Sequence, residues 1–200
     1  MAIVACVIAF NEGKLLPACL DSLEMKVDRV VVVDGAFAQY EHTVPSSTDG
    51  TQVIAECYGA EWVDAPRAWA DEVEKRNASL IGNPGDWYFV IDADERLQGE
   101  LPVAEPGRYY AMMINTWNGA QSWGVRMFQE TGDVRYEGAH SAVWQDGKLL
   151  DVKGARRWPP AYGNILHLKY ARPVDYARRM RAYVQWRNER ERDYKKRHRV

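Results

Sequence analysis

"DWYFVIDADERL", residues 86–97, sets a run of aromatic and branched apolar residues directly against Asp92, Asp94 and Glu95. The apolar run from Trp87 to Ile91 fits a strand buried on both faces, as in a parallel sheet. Buried runs do not ordinarily end in three carboxylates within four residues, so these acids call for a purpose.

The sequence before this stretch repeats one pattern. "AIVACVIAF" (2–10) is another continuous apolar run, stopped by Asn11, Glu12 and Gly13. "KLLPACLDSLEM" (14–25) then places Leu15, Leu16, Cys19, Leu20 and Leu23 at helical spacing. "VDRVVVVDGAF" (27–37) is a second buried strand ending at Asp34 and Gly35, followed by a polar loop with Pro45 and two serines. "TQVIAECYGA" (51–60) predicts a helix and "EWVDA" (61–65) a short third strand. "ADEVEKRNASLIG" (70–82) predicts a further helix, stopped by Gly82, Asn83, Pro84 and Gly85. This alternation predicts an α/β layer with a mostly parallel central sheet, helices on both faces and right-handed crossovers.

After residue 97 the style changes. "RYYAMMINTW" (108–117), "WGVRMFQE" (123–130) and "SAVWQDGKLLDV" (141–152) predict short strands of a small antiparallel region, with Asp146-Gly147 as a hairpin turn. From Pro173 a helix is expected, with Tyr176, Met180, Tyr183 and Val184 on one face. The boundaries are one domain over 1–171, with halves 1–97 and 98–171, and a basic helix and tail over 172–200.

The 200 residues are 46% hydrophobic, enough for a core and against global disorder. No apolar run reaches the roughly 18 to 20 residues of a membrane span. The start lacks the pattern of a secretory signal. Cys6, Cys19 and Cys57 read as buried thiols in a reducing compartment, so the cytosol is the expected place. The net charge of −2 hides an asymmetry: residues 172–200 carry eleven Lys/Arg against four Asp/Glu, and the rest fifteen against twenty-four. A basic tail on an acidic body points to self-association or to something anionic, such as a membrane surface, a lipid phosphate or a nucleic acid.

In open α/β sheets ligands bind beyond the carboxyl ends of the strands. Asn11-Glu12, Asp34 and Asp92-Ala93-Asp94 all fall there if the strands are parallel. On an extended chain Asp92 and Asp94 point the same way and repel unless a cation lies between them. Mg²⁺ or Mn²⁺, shared with a substrate diphosphate, is the natural occupant. Glu95 would face the opposite side and support the loop. Asn11-Glu12 could also cap the helix that follows. Arg76 could be a solvated helix residue, and His167, between leucines, a core histidine. Trp117, Trp123 and Trp144 fit core packing or an acceptor platform.

These segments, in order, resemble the family-2 glycosyltransferases of the GT-A (Rossmann-like) fold. "VIAFNEGKLLPACLDSL" resembles the opening strand and helix, and "DRVVVVDGAF" the second strand with its nucleotide-facing Asp. "WADEVEKRNASL" resembles a segment with Asp before an Arg-Asn pair, and "GDWYFVIDADERL" the metal-binding Asp-x-Asp strand. "VRMFQETGDVRYEGAHSAVW" and "ILHLKYARPVDYARRMRAYVQW" resemble the acceptor-side region and the late His strand with its helix.

The resemblance implies roles. Ala9, Phe10, Asn11 and Glu12 would line the nucleobase and ribose pocket, and Asp34 would bind base or ribose. Arg76 would approach the diphosphate, and Ala93, between the two acids, would be a further nucleotide-binding residue. Asp92 would contact ribose or the metal shell, Asp94 would ligate the metal and His167 would be a further ligand. His140 would sit near the sugar or acceptor. The implied activity is inverting, non-processive transfer of a hexosyl group from a nucleotide-diphosphate sugar, UDP-sugar favoured and GDP-sugar possible in principle, to a hydroxyl. The acceptor is open, anionic glycolipid or nucleic acid included. Many relatives carry an acid after the His of the acceptor-side motif; here Ser141 stands there. The general base therefore stays open among Glu137, Asp71, Glu95 and His140. A non-catalytic nucleotide- or carbohydrate-binding module, or a metal-dependent phosphoryl-transfer enzyme, is the alternative.

Overall fold

The computed structural model describes residues 1–39, 44–138, 142–168, 185, 188, 189 and 192. Of the expected C-terminal helix and tail, all but the helical Gln185, Asn188, Glu189 and Arg192 lie outside the described residues. The described strands are β1 (Ile3–Ala9), β2 (Arg29–Asp34), β3 (Glu61–Val63), β4 (Trp87–Asp92), β5 (Glu95–Gly99), β6 (Tyr110–Thr116), β7 (Gln121–Gln129), β8 (Val134–Glu137), β9 (Ala142–Gln145), β10 (Lys148–Leu149), β11 (Arg156–Arg157) and β12 (Gly163–His167). The helices among the described residues with set bounds are α1 (Leu16–Asp21), α2 (Thr51–Cys57) and α3 (Glu72–Asn77).

The main sheet runs β3-β2-β1-β4-β7-β6-β12-β5, with β11 beside β6. Its first four strands are parallel, in the 3-2-1-4 order of a doubly wound sheet. The apolar runs alternate between two cores. Ala5, Val7, Ala9 and Val32 pack with Leu16, Cys19, Leu20 and Leu23 of the α1 region and Ala55 of α2. Val4, Cys6, Val31 and Val33 pack on the other face with Val73, Ala78 and Leu80 around α3 and with Tyr136 and Val143 of the β8-β9-β10 sheet. Helices thus cover both faces.

The sheet is mixed rather than mostly parallel. β4–β7, β7–β6 and β12–β5 pair antiparallel; of these only β6 and β7 are joined by a short turn, which allows antiparallel pairing alone, since parallel pairing needs a long crossover. The predicted helix over 70–82 shortens to Glu72–Asn77. Its C-terminal part becomes turns whose apolar Leu80 packs against the sheet. Cys6 and Cys19 are buried, but Cys57 is exposed at the end of α2. No described helix is long and apolar enough to cross a membrane.

One connection fixes the shape of the second half. Only Ala93 and Asp94 separate β4 from β5, yet β7, β6 and β12 lie between them in the sheet. Four strand spacings in a flat sheet span about 19 Å, whereas three Cα steps reach at most about 11 Å. The β7-β6-β12-β5 part of the sheet must curl until its edge strand β5 returns to the end of β4 at the Asp92–Glu95 turn. A hydrogen bond from Leu168 N to Asp94 O, 2.9 Å, fastens that closure.

Candidate functional site

The register settles where the acids stand. Ala9 is opposite Asp34, and Ile8 is opposite Asp92. The carboxyl ends of β1, β2 and β4 therefore share one edge.

The acid pair itself departs from expectation. β4 ends at Asp92 and the chain turns through Ala93 and Asp94, so the two aspartates do not share an extended strand. The turn is held by Glu95, whose Oε2 accepts from Asp92 N at 2.9 Å. Its Oε1 accepts from Arg126 Nη2 at 2.7 Å, and Arg126 Nη1 donates to Val90 O at 3.2 Å. Burial pushes the Glu95 carboxyl above its usual range; Arg126 opposes that and Asp92 adds to it.

Asp94 is 2% exposed, and its Oδ2 lies 3.1 Å from His167 Nε2 at the end of β12. Burial alone would push the His167 imidazole down. The hydrogen bond to Asp94 and the charges of Asp94, Glu95 and Asp92 outweigh it and hold the pKa above the usual value. Among the described residues no group of three His, Cys, Asp or Glu is gathered to hold an ion alone. Two protein donors do fit a shared ion: neighbouring ligand atoms of an octahedron with about 2.1 Å bonds stand about 3 Å apart.

Asp92 is paired on its other side. Arg76 Nη2 donates to Asp92 Oδ1 at 2.9 Å and Arg76 Nε to Glu72 Oε1 at 2.7 Å. Burial pushes the Asp92 carboxyl up, but Arg76 and then Arg126 bring it down to about 2. Burial also works against the Arg76 charge, yet Asp92 and Glu72 keep it protonated. Arg76 is thus a buried partner of the acid edge and not a solvated helix residue.

α3 is started by Asp71, whose Oδ1 accepts from Glu74 N at 2.8 Å, while Glu74 Oε2 accepts from Ala70 N at 2.7 Å. The Asp-x-x-Glu spacing that signals such reciprocal capping is legible in the sequence. If Asp71 acts as a cap, Asp71→Asn, also a good cap, retains both stability and activity. Asp71→Ala costs about 1 kcal/mol. Urea unfolding with parallel activity assays checks this: loss of activity in a stable Asn variant would restore Asp71 as a base.

The ends of β1 and β2 are tied to the 45–51 loop. Asp34 is fully buried, accepting from Ser47 N at 2.7 Å and from Ser47 Oγ at 2.5 Å. Asn11, at φ +54°, donates its N–H to Ser47 Oγ, and its Oδ1 accepts from Thr48 N. Glu12 is buried; its N–H donates to Thr51 Oγ1, and its carbonyl accepts from Leu15 and Leu16 N–H. No side chain caps α1, so the expected capping by Asn11-Glu12 is replaced by this backbone turn. Ala9 is buried and Phe10 half-buried.

Lys75 was not singled out by sequence. It is 2% exposed and donates from Nζ to Ala9 O and Gly35 O, both at 2.6 Å. Gly35 has φ +118°; a Cβ there would collide with Ala65 and come within 2.7 Å of Trp69 Nε1. Gly35→Ala is therefore expected to destabilise by more than about 1 kcal/mol, measured by chemical denaturation.

The structure thus brings Ala9, Asn11, Asp34, Arg76, Asp92, Asp94 and His167 to one edge or its supports. Glu137, at the end of β8, pairs with Arg135 Nε at 2.5 Å. Asn77 ties α3 to that strand by accepting from Tyr136 N and donating to Tyr136 O. His140 and Ser141 lie outside the described residues. Sequence reasoning missed Lys75, Arg126 and the Ser47–Thr51 loop. A lone Arg inside the apolar "WGVRMF" was the available signal for Arg126, since such a charge needs a buried partner.

No family model matches the chain. A TPR repeat-containing protein of Synechococcus elongatus is 28% identical over 164 residues, 76% of this chain and 38% of the relative. The chain therefore spans well under half of that relative's length. S. aureus TarS is similar at TM-score 0.46 and 21% identity, over 60% of this chain and 23% of TarS. TarS 1-349 in complex with UDP-GlcNAc gives TM-score 0.40 and 24% identity, over 49% of this chain and 28% of that one. Likeness at this level leaves the reading of the site to its own residues.

Proposed function

We propose that the chain is a nucleotide-sugar glycosyltransferase domain of the GT-A type. In this reading residues 1–97 hold the donor, residues 98–171 face the acceptor and residues 172–200 form a basic extension. The observation that carries it is the common edge: Asp34 opposite Ala9, Asp92 opposite Ile8, and the buried Asp94–His167 pair one turn away. The ordered resemblance of the motifs supports the same reading.

The ends of β1 and β2, with Ala9, Phe10, Asn11, Glu12 and Asp34, would receive base and ribose. Asp94 and His167, with Asp92 through the metal shell, would hold Mn²⁺ or Mg²⁺; imidazole tilts the choice toward Mn²⁺. When bound, the ion would neutralise the departing diphosphate. Asp92, kept ionised by Arg76, presents a fixed negative charge to ribose or to the ion's water shell. Glu95 is committed to the turn, and Asp71 to α3. Glu137, with a side chain 40% exposed and paired with Arg135, remains with His140 as a candidate to accept the acceptor hydroxyl's proton. An inverting, non-processive hexosyl transfer from a UDP-sugar, with GDP-sugar as the second choice, is the resulting reaction. A hydroxyl on an anionic carrier would suit the basic extension.

A panel of UDP- and GDP-sugars, incubated with and without Mn²⁺, tests this. Slow metal-dependent release of one nucleoside diphosphate is the expected result. Tight binding without turnover would mark a binding module, and phosphate release from simple esters a phosphoryl-transfer enzyme.

A further inference from the structure

A buried ammonium is costly unless an anion or a dense set of acceptors compensates it. Lys75 lies in the acid-rich edge, yet its two hydrogen bonds go to backbone carbonyls, Ala9 O and Gly35 O. Among the described residues no carboxylate forms an ion pair with it. The Phe37 ring covers it at 5.4 Å from the centroid. The carbonyls it joins terminate two adjacent parallel strands, since Ala9 is opposite Asp34 and Gly35 follows it. The amine is therefore a bolt between the strand ends that flank the edge.

The charges around it come from every side: Asp34 from β2, Glu12 beyond β1, Asp92 from β4 and Arg76 from its own helix. The nearest acids are already engaged, Asp34 with Ser47 and Asp92 with Arg76. A methionine would fill the same volume without the electrostatic cost, so the packing does not explain a lysine here.

We propose that Lys75 is a positioning residue of the donor site, holding the ends of β1 and β2 at the spacing a nucleoside diphosphate requires and taking up a proton when that anion seats. This rests on the proposed donor site and names what sets its width and charge. The balance is simple: the amine gains one proton from solvent as the anion arrives, and no covalent bond changes. Desolvation pushes Lys75 down to about 7, with Asp34 the largest influence in the other direction. A diphosphate seated beside Arg76 and Asp92, whose charges already act on Lys75, favours the charged form. Affinity is then highest where the free protein already holds the proton, and it falls as pH rises above about 7.

UDP-glucose is a suitable probe, because its diphosphate carries no group that titrates near neutrality. Calorimetry at pH 7.5 in two buffers of different ionisation enthalpy should report fractional proton uptake by the unmutated protein. Lys75→Met should bind at least tenfold more weakly and lose the buffer dependence. Should that variant not fold, ¹³C-lysine NMR of the unmutated protein decides. One lysine should titrate near neutrality, far from the usual value of about 10.4, and shift toward its charged position on adding UDP-glucose. A folded Met variant with unchanged affinity and proton uptake, or a near-neutral lysine resonance indifferent to UDP-glucose, overturns the proposal. Failure of the unmutated protein to bind any UDP- or GDP-sugar overturns the donor site first, and this inference with it.

Discussion

Asp94→Ala is expected to lower metal-dependent release of nucleoside diphosphate by at least about 10²–10³-fold, the scale seen when a single preorganised electrostatic contact to a developing charge is removed. Asp94 is 2% exposed and held on both sides, by His167 at its carboxylate and by Leu168 N at its carbonyl. The backbone contact survives the substitution, so the turn keeps its shape while the ligand is lost. Metal-independent nucleotide binding should change little, because the proposed place of base and ribose is the ends of β1 and β2. Steady-state assays across a Mn²⁺ titration check this: a rate that recovers at high Mn²⁺ means weakened ligation, and parent-like kinetics in the variant would remove the metal from Asp94.

The second large effect concerns the support beneath that turn. Glu95→Ala or Arg126→Ala should each destabilise by about 3–5 kcal/mol, because each strands the other charge in the core. The pair Glu95→Leu with Arg126→Met should recover most of that loss. The raised pKa of Glu95 already says that its burial costs more than Arg126 returns. Activity should not recover with stability, because a leucine side chain has no oxygen to accept from Asp92 N. Guanidinium unfolding of the two single variants and the double one, with nucleotide-sugar assays on the folded double variant, measures both. A stable and fully active double variant would reduce the Glu95–Arg126 contact to packing.

The parallel half of the fold was legible because its strands are buried on both faces and therefore read as unbroken apolar runs, "AIVACVIAF" and "WYFVI" among them. The shared edge of the strand ends was legible for the same reason, since such runs stop at Asp34 and Asp92, which the register sets opposite Ala9 and Ile8; the burial of Asp34 against Ser47 and of Glu95 against Arg126 was not. β5 was not. "ERLQG" carries two charges and a glycine, and it becomes a strand only because the curled sheet returns β12 beside it. The geometry of Asp92 and Asp94 failed on the same point, since an Asp-x-Asp quoted alone cannot say whether the chain runs on or turns. What decides it is Glu95 reaching back to Asp92 N, and that depends on Arg126, thirty-one residues away. Lys75 was hidden differently. Its neighbours in sequence are Glu74 and Arg76, which read as a solvated helix face, and only the crossing of α3 under β1 and β2 buries it.

The central claim is that a nucleotide diphosphate and a metal meet at the edge where Asp34, Asp92 and Asp94 converge. A crystal of the protein with UDP and Mn²⁺, examined for manganese anomalous scattering, tests it most directly. One manganese peak is expected within bonding distance of the Asp94 carboxylate and of the diphosphate, with the nucleoside against the ends of β1 and β2. UDP ordered at another surface, or a manganese peak at the nucleotide but away from Asp94, would contradict it.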